Sequence, residues 1–217
     1  MIALPDEPRW VEAHGIANAP RGWRRELAGG YALGDDTARL VVIVDAEGAA
    51  AAELAREVPQ HTLLVTTDEQ VAALRTTGRT PVRAIIHSLS PEVVLPDLDG
   101  AVELAADASL DHVPGPLAEE LSNARPHPIF AAYVDGLAVA FAYAPWRSKR
   151  WFDVSVDTLP SARQLGLATI VASAMIRHER AAGREAVWGA DEGNVASLRL
   201  AKRLGFVAVD EVWVAPP

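Results

Sequence analysis

The fold is decided by Trp151-Phe-Asp-Val-Ser-Val-Asp-Thr158 and, shortly after it, Arg163-Gln-Leu-Gly-Leu-Ala-Thr169. The first stretch predicts a strand within residues 150–158, because polar residues alternate with apolar ones. The second opens a predicted helix over 166–182, in which apolar residues recur at helical spacing and Gly183 marks the end. Backbone N–H groups at such a junction attract phosphate, and the glycine at 166 lets a phosphate approach closely. The same glycine spacing also fits a plain helix start.

The predicted strand at 150–158 has one core-like face and one polar face. The polar face either lies in water, as in an ordinary amphipathic strand, or lines a cleft. It carries Trp151, Asp153, Ser155 and Asp157.

Three further elements follow the predicted helix. A strand is expected over 185–190, a helix over 194–204 and a last strand over 206–214. Upstream, Asp135-Gly136 between the apolar runs 129–134 and 137–144 predicts a β-hairpin.

Three blocks in this region resemble the GNAT acetyltransferase superfamily. They are 156–169, then Ala186-Val-Trp-Gly-Ala-Asp-Glu192, then Asn194-Val-Ala-Ser-Leu-Arg-Leu-Ala-Lys-Arg-Leu-Gly-Phe206. Their order and spacing agree with the family, which is more specific than any single block. The resemblance implies an α/β (α+β) fold with a GNAT-type mixed sheet flanked by helices, over a domain at 95–217.

The resemblance also implies acetyl-coenzyme A as co-substrate. The backbone of the predicted strand would pair with the pantetheine arm like an added strand. Amides of the following loop would hold the pyrophosphate, with an arginine beside them. The residues carried over are Val156, Asp157, Thr158, Arg163, Gln164, Leu165, Gly166, Leu167, Ala168, Thr169, Asn194 and Ser197. Asn194 is equally suited to cap a helix.

The chain departs from the family at Ala201, where many members place a tyrosine that protonates the leaving thiolate. Ser197 or a water is the expected substitute, or the thiolate leaves unaided. An amine acceptor must also lose a proton to a base. Asp153 and Asp157 are the candidate bases by their place in the strand, and Glu192 by its place after the next strand.

The first half of the chain predicts a small α/β module of unknown role over 1–94. Strands are expected at 39–45, 61–66 and 82–88, and helices at 49–58 and 69–76, the latter capped by Asp68. Residues 1–38 are predicted to form a polar, turn-rich entry segment with some helix. The Pro- and Asp-containing segment 90–100 is the expected boundary, and a helix interrupted by prolines follows over 110–123.

Composition limits the classes of partner. The net charge of −9 over 217 residues argues against nucleic acid as a partner, and there is no cysteine for a disulfide or a thiolate metal site. The histidines lack metal-ligand spacing, so no metal is expected. With neither a signal peptide nor a long apolar run, we expect a cytoplasmic protein without a membrane partner. The expected partner is a small-molecule or peptide amine, and a homodimer is the assembly considered.

Two alternatives to an N-acetyltransferase stay open at this point. One is a non-catalytic, acyl-coenzyme A-binding regulatory protein on the same fold, which Ala201 favours. The other is a nucleotide site in the first half. Against the second stands the turn after the first strand of that module, Asp45-Ala46-Glu47-Gly48, which is acidic and lacks a glycine-rich fingerprint.

Overall fold

A computed structural model describes residues 4–124 and 127–217. The helices are α1 Val11–Asn18, α2 Gly48–Glu57, α3 Asp68–Arg75, α4 Gly115–Ala124, α5 Leu167–Ala181 and α6 Val195–Leu204. The strands are β1 Gly22–Leu27, β2 Gly30–Asp35, β3 Leu40–Val44, β4 Thr62–Val65, β5 Val82–Ser88, β6 Ala101–Glu103, β7 Phe130–Val134, β8 Leu137–Tyr143, β9 Trp151–Asp153, β10 Ser155–Thr158, β11 Glu185–Asp191 and β12 Val207–Ala215. The predicted mixed sheet flanked by helices is confirmed.

The chain forms two compact units. Unit 1 comprises Met1–His87, Gly189–Val195 and Ala208–Pro217, and unit 2 comprises Ser88–Trp188 and Ala196–Val207. Unit 1 thus combines the N-terminal residues with most of the last strand. The boundary at residue 94 stays a prediction about separable domains.

Unit 1 is built on strands in the order β1-β2-β3-β4-β12-β5. The β3–β4 pair is parallel, whereas β1–β2, β2–β3 and β4–β12 are antiparallel. Apolar side chains from β3, β4, α2 and α3 share one core cluster, which Trp213 of β12 packs against. The predicted strands at 39–45, 61–66 and 82–88 are therefore present, each within a residue or two of its expected ends.

Two local expectations in unit 1 were wrong. The entry segment contains a β1–β2 hairpin, which the sequence hid because the charged and largely exposed β1 shows no apolar alternation. Its Trp23 lies opposite Gly34, where the missing side chain leaves room for the indole. The cap of α3 is Thr67 rather than Asp68, because Thr67 and Gln70 satisfy each other's backbone N–H groups in a capping box.

Unit 2 contains a four-stranded antiparallel sheet in the order β10-β8-β7-β6. The predicted hairpin is confirmed: Asp135 and Gly136 both have positive φ, 51° and 80°, as a tight turn between twisted strands requires. α5 packs on β7, β8 and β10. It ends as predicted, with Gly183 at φ 80° and the N–H of Arg184 donating to the carbonyl of Glu179 over 3.1 Å.

The predicted single strand at 150–158 is two strands. β9 pairs in parallel with β11, whereas β10 pairs antiparallel with β8 in the other sheet. The change falls at Val154, whose N–H still donates to the carbonyl of Val187 over 2.9 Å. The alternation of polar and apolar residues could not reveal this change. It shows which face of a sheet a side chain occupies, but not which strand pairs with which.

Unit 1 depends on the guanidinium of Arg79, which is 8% exposed. Its nitrogens donate to the carbonyls of Ala55 and Val58 at the end of α2, and of His61 just before β4. They also donate to the carbonyls of Ala215 and Pro216 at the end of the chain. One side chain therefore satisfies carbonyl groups of three segments at once.

We expect Arg79→Met to lower the free energy of unfolding by about 3 kcal/mol or more, because it leaves buried carbonyls without donors. The measurement is urea unfolding followed by far-UV circular dichroism. Arg75→Met is the matched control, since Arg75 is exposed at the end of α3. Equal losses in the two variants would show that the Arg79 contacts contribute nothing particular.

Candidate functional site

The candidate site begins at the open edge of β10. Leu159, just after this strand, donates its N–H to the carbonyl of Val139 over 2.8 Å. Backbone groups alternate in direction along an antiparallel strand, so those of Asp157 and Ser155 also face β8. Those of Val156 and Thr158 face the opposite edge. β10 and β11 lie in different sheets, and the chain leaves its pairing with β11 after Val154.

A loop rich in unpaired N–H groups follows β10. Gln164 and Gly166 both have positive φ, 66° and 80°, and α5 starts at the next residue. Among the described residues, none accepts a hydrogen bond from the N–H groups of Gln164, Leu165, Gly166, Leu167 and Ala168. Successive N–H groups in such a loop form a concavity that binds anions, and the helix dipole adds to it.

Charge around this loop favours an anion. The first turn of α5 contains no acidic residue. Arg163 is exposed, and its Nε donates to the carbonyl of Thr158 over 3.5 Å, which holds the guanidinium beside the loop. Gly166 has a φ of 80°, a conformation that favours glycine, and a Cβ at this position would meet no protein atom within 4 Å. Close approach of a phosphate to this glycine stays a prediction.

The side chains on one face of β10 form an acidic cluster with a buried phenol. Tyr143 of β8 is fully buried, and its hydroxyl donates to Oδ2 of Asp157 over 3.3 Å. The carboxyl group of Glu120 from α4 interacts electrostatically with this hydroxyl. Asp153, at the end of β9, feels the negative charge of Glu120. The structure thus groups two of the three predicted bases, Asp153 and Asp157, with two residues that the sequence did not indicate.

Burial sets the protonation of these acids. It raises the pKa of Asp153 to about 7, which the N–H of Val154 opposes and the charge of Glu120 reinforces. Burial also raises the pKa of Asp157, against the hydrogen bond from Tyr143. The Glu120 side chain is exposed overall, yet the loss of water around its carboxyl group raises its pKa too. Burial and the neighbouring carboxylates raise the pKa of Tyr143 far above its usual value.

The other predicted residues lie on β11, on α6 and in the turn between them. The Oγ of Ser197 accepts a hydrogen bond from Nε1 of Trp188 over 2.9 Å, within unit 2. Asn194 precedes α6 and donates its N–H to the carbonyl of Asp191. Glu192 is exposed, with its carboxylate 3.8 Å from Arg83. Ala201 is fully buried.

Tyr143 and Glu120 were missed for different reasons. Tyr143 continues the buried face of β8 that includes Phe141, so its position in the sequence predicts only core packing. Glu120 lies on a helix predicted over 110–123, whereas α4 starts at Gly115. The sequence offered no signal that this helix would bring a carboxyl group to β8. Across residues 4–124 and 127–217, no group of three or more His, Cys, Asp or Glu side chains is placed to hold a metal ion.

Residues 130–214 match the family model described as GNAT acetyltransferase, which confirms the resemblance seen in the motifs. No curated protein matches the chain. For the stretches that the structure covers, no helix is long and apolar enough to cross a lipid bilayer.

Solved structures with a similar fold come from several bacteria. A putative GNAT-family acetyltransferase from Novosphingobium aromaticivorans superposes with a TM-score of 0.62 at 19% identity, over 97% of this chain and 96% of that one. A GCN5-related N-acetyltransferase from Kribbella flavida gives 0.67 at 15% identity, over 99% and 97%. A GCN5-related N-acetyltransferase-like protein from Streptococcus suis gives 0.66 at 14%, over 99% and 94%. These likenesses establish the fold, including the part formed by the first ninety residues.

We expect the raised pKa of Asp153 to change how the free energy of unfolding depends on pH. Its folded-state pKa is raised, so the folded protein holds this proton more tightly than the unfolded chain, and the free energy of unfolding falls as pH rises from about 4 to about 7. Asp153→Asn removes this contribution. The stability of the variant relative to wild type should therefore increase steadily between pH 5 and pH 8 in urea titrations.

Asp107→Asn is the matched control, because Asp107 is exposed to water. A stability difference between Asp153→Asn and wild type that is flat or decreasing with pH would contradict the prediction.

Proposed function

We propose, from the match of residues 130–214 to the GNAT acetyltransferase family, that this protein is an acetyl-coenzyme A-dependent N-acetyltransferase. It transfers an acetyl group directly to an amine of a small-molecule or peptide acceptor. The observation that carries the proposal is the row of unpaired N–H groups from Gln164 to Ala168, placed at the end of a strand with an open edge. An anion and an extended arm are the two parts of coenzyme A that such a site fits.

The donor would bind in two parts. The pyrophosphate lies on the amides of residues 164–168, with Arg163 providing a positive charge. The pantetheine arm lies along the open edge of β10, where the backbone groups of Val156 and Thr158 are available. The backbone groups of Asp157 face β8, so they are not available to the pantetheine arm. Only the side chain of Asp157 could contact the arm. Asn194 stays a predicted contact.

The direction of binding places the chemistry near Val154. The pyrophosphate site follows the last residue of β10, so the arm runs back along the strand toward its first residue. Its thioester then lies where β10 leaves β9, near the free N–H of Val156. An N–H at this place can donate to the carbonyl oxygen as negative charge develops there during attack.

The transfer itself needs one base and one acid. The amine nitrogen attacks the thioester carbon, a C–N bond forms as the C–S bond breaks, and the amine proton goes to a carboxylate. Asp157 is the first candidate, because Tyr143 holds its carboxylate in one orientation and favours its charged form. Asp153 is the second. Ser197 is the proposed donor of a proton to the thiolate, with water as the alternative.

A non-catalytic acyl-coenzyme A-binding protein is the second candidate function. The buried Ala201 favours it, since this side chain can supply no proton. Nucleotide binding by the first half of the chain is disfavoured by the contacts at the start of α2. The N–H of Gly48 at the start of α2 already donates to the carboxylate of Glu69 over 2.8 Å, and that negative charge repels phosphate.

The direct test of function is an acceptor panel. Purified protein is mixed with acetyl-coenzyme A and with amines ranging from small diamines to peptide N-termini, and free thiol is measured. Calorimetry with acetyl-coenzyme A, ATP and NAD accompanies it. Thiol release that depends on the acceptor supports the enzyme. Tight binding of acetyl-coenzyme A without release from any amine supports the regulatory protein.

We expect Gly166→Ala to weaken coenzyme A binding about tenfold or more, because alanine resists the positive φ that shapes the amide loop. Gly183→Ala is a closely matched control. Gly183 lies at the other end of α5, has the same φ of 80° and also has nothing within 4 Å of an added Cβ. Both variants should lose similar stability, but only Gly166→Ala should lose affinity in calorimetry. Equal affinity for coenzyme A in the two variants would show that the pyrophosphate does not bind at this loop.

We expect Asp157→Asn to lower kcat about a hundredfold or more while leaving the Kd for coenzyme A near its wild-type value, because only proton removal is lost. Asp153→Asn is measured in parallel and should have the smaller effect if Asp157 is the base. Asp135→Asn is the control, since this turn residue is exposed and asparagine tolerates its positive φ. Unchanged kcat in both Asp157→Asn and Asp153→Asn would exclude these carboxylates as the base.

A further inference from the structure

The indole of Trp188 and the hydroxyl of Ser197 form a hydrogen bond of fixed direction. Nε1 of Trp188 donates to Oγ of Ser197 over 2.9 Å, an ordinary length for an N–H donor. An indole N–H can only donate, whereas a hydroxyl donates one hydrogen and accepts others. Ser197 is therefore the acceptor in this pair, and its own hydrogen is directed at a group other than Trp188.

The ring of Trp188 is fixed by its surroundings. It is 3% exposed, and the ring of Phe206 packs against it edge to face, with the two centroids 5.3 Å apart. Ser197 on α6 is only partly buried. A fixed donor thus holds one orientation of a hydroxyl group that remains accessible from outside the core.

This pair lies beside the point where the chain leaves its pairing with β11. Trp188 directly follows Val187, whose carbonyl accepts the N–H of Val154, the last residue before β10. The proposed function puts the thioester at this point. On α6, Ser197 precedes Ala201 by one turn and shares its helix face. Ala201 is where the resemblance expects a tyrosine, so this hydroxyl lies one turn from the place of the missing acid.

We propose that Trp188 is a positioning residue for the acid of the transfer, orienting the hydroxyl of Ser197 so that its hydrogen points to the sulfur of coenzyme A. The proposal rests on the proposed function, in which Ser197 donates a proton to the thiolate. The N–H of Trp188 has a second effect, because a hydrogen bond received by Oγ polarises the O–H group and makes it a stronger donor. The pair together replaces the tyrosine that is absent at Ala201.

The proton balance of this step closes. As the C–S bond breaks, its electron pair stays on sulfur, and the hydroxyl hydrogen of Ser197 moves to the sulfur. A water molecule then gives a proton to Oγ. The carboxylate that took the amine proton releases it to solvent, where it neutralises the hydroxide left by that water. Trp188 keeps its N–H throughout, so it orients and polarises the hydroxyl without exchanging a proton.

We expect Trp188→Phe to lower kcat about fivefold and Ser197→Ala about tenfold, with the Kd for acetyl-coenzyme A unchanged in Trp188→Phe. The double variant tests whether one residue acts through the other. If it does, adding Trp188→Phe to Ser197→Ala lowers kcat no further. Independent effects would multiply to about fiftyfold and would overturn the proposal. Ser197→Thr keeps a hydroxyl group and should restore most of the kcat lost in Ser197→Ala.

Trp23→Phe is the matched control for the tryptophan. Nε1 of Trp23 donates to Oδ1 of Asp36 over the same 2.9 Å, within unit 1. The change removes an equivalent indole hydrogen bond and should leave kcat at its wild-type value. Ser122→Ala, which removes an exposed hydroxyl of α4, is the control for the serine. Equal losses of kcat in Trp23→Phe and Trp188→Phe would overturn the proposal, because the loss would then be a general effect on the fold.

Two readouts without an acceptor separate this proposal from the proposed function. The indole N–H signal of Trp188 in NMR spectra, assigned by its loss in Trp188→Phe, should move upfield in Ser197→Ala. The thiol of bound coenzyme A is titrated by the absorbance of its thiolate. Its pKa should rise by about half a unit or more in both Trp188→Phe and Ser197→Ala, since the thiolate loses an oriented donor.

The outcomes of these titrations are distinct. An indole signal that does not move in Ser197→Ala, or a thiol pKa that is equal in wild type and Trp188→Phe, would overturn the positioning role even if the protein turns over. Shifts as expected, with no thiol released by any amine of the acceptor panel, would overturn only the proposed function. Absence of coenzyme A binding would overturn both.

Discussion

At Val154 the chain exchanges one pairing partner for another, and the candidate site depends on that exchange. Its N–H donates to Val187 over 2.9 Å, as the β9–β11 pairing requires, and the next residue already pairs with β8. A strand has two edges, and β10 gives only one of them to β8. The second edge is left with unpaired backbone groups. The amide loop at 163–166 comes soon after this strand, separated from Thr158 by a short 3-10 turn at Pro160–Ala162.

The two ends of α5 show how one backbone conformation serves two purposes. Gly166 and Gly183 share a φ of 80°. At Gly183 this conformation lets the chain turn back, and the N–H groups beyond it satisfy carbonyls of the last turn. At Gly166 the N–H groups are the ones that a helix start cannot satisfy, and no side chain in residues 4–124 or 127–217 caps them. The first arrangement stabilises the helix. The second leaves N–H groups at the start of α5 with no acceptor among the described residues.

Acid groups in unit 2 are held at a cost to stability. Burial raises the pKa of Glu120, Asp153 and Asp157, which means that folding disfavours their charged forms. The buried Glu179 differs, because Arg147 and Arg184 bind it and lower its pKa despite burial. Carboxyl groups with raised pKa values beside an open strand edge are more characteristic of functional sites than of structural ion pairs. The contrast favours a structural role for Glu179 and leaves Asp153 and Asp157 as the candidates for chemistry.

By itself the sequence determined the elements that depend on neighbouring residues. These include the hairpin at Asp135 and Gly136, the amphipathic α5 with Gly183 at its end, and the order of motifs that resembles the GNAT family. Turn residues and helical periodicity involve only a few neighbouring residues, so they can be recognised without knowing the fold. The candidate bases Asp153 and Asp157 followed from the same local alternation. Only the tertiary structure decided the strand exchange at Val154, the placement of Tyr143 and Glu120 against Asp157, and the dependence of β12 on Arg79. Each of these joins segments distant in sequence, and alternation along a strand specifies which face a side chain occupies but not which strand or helix it will meet.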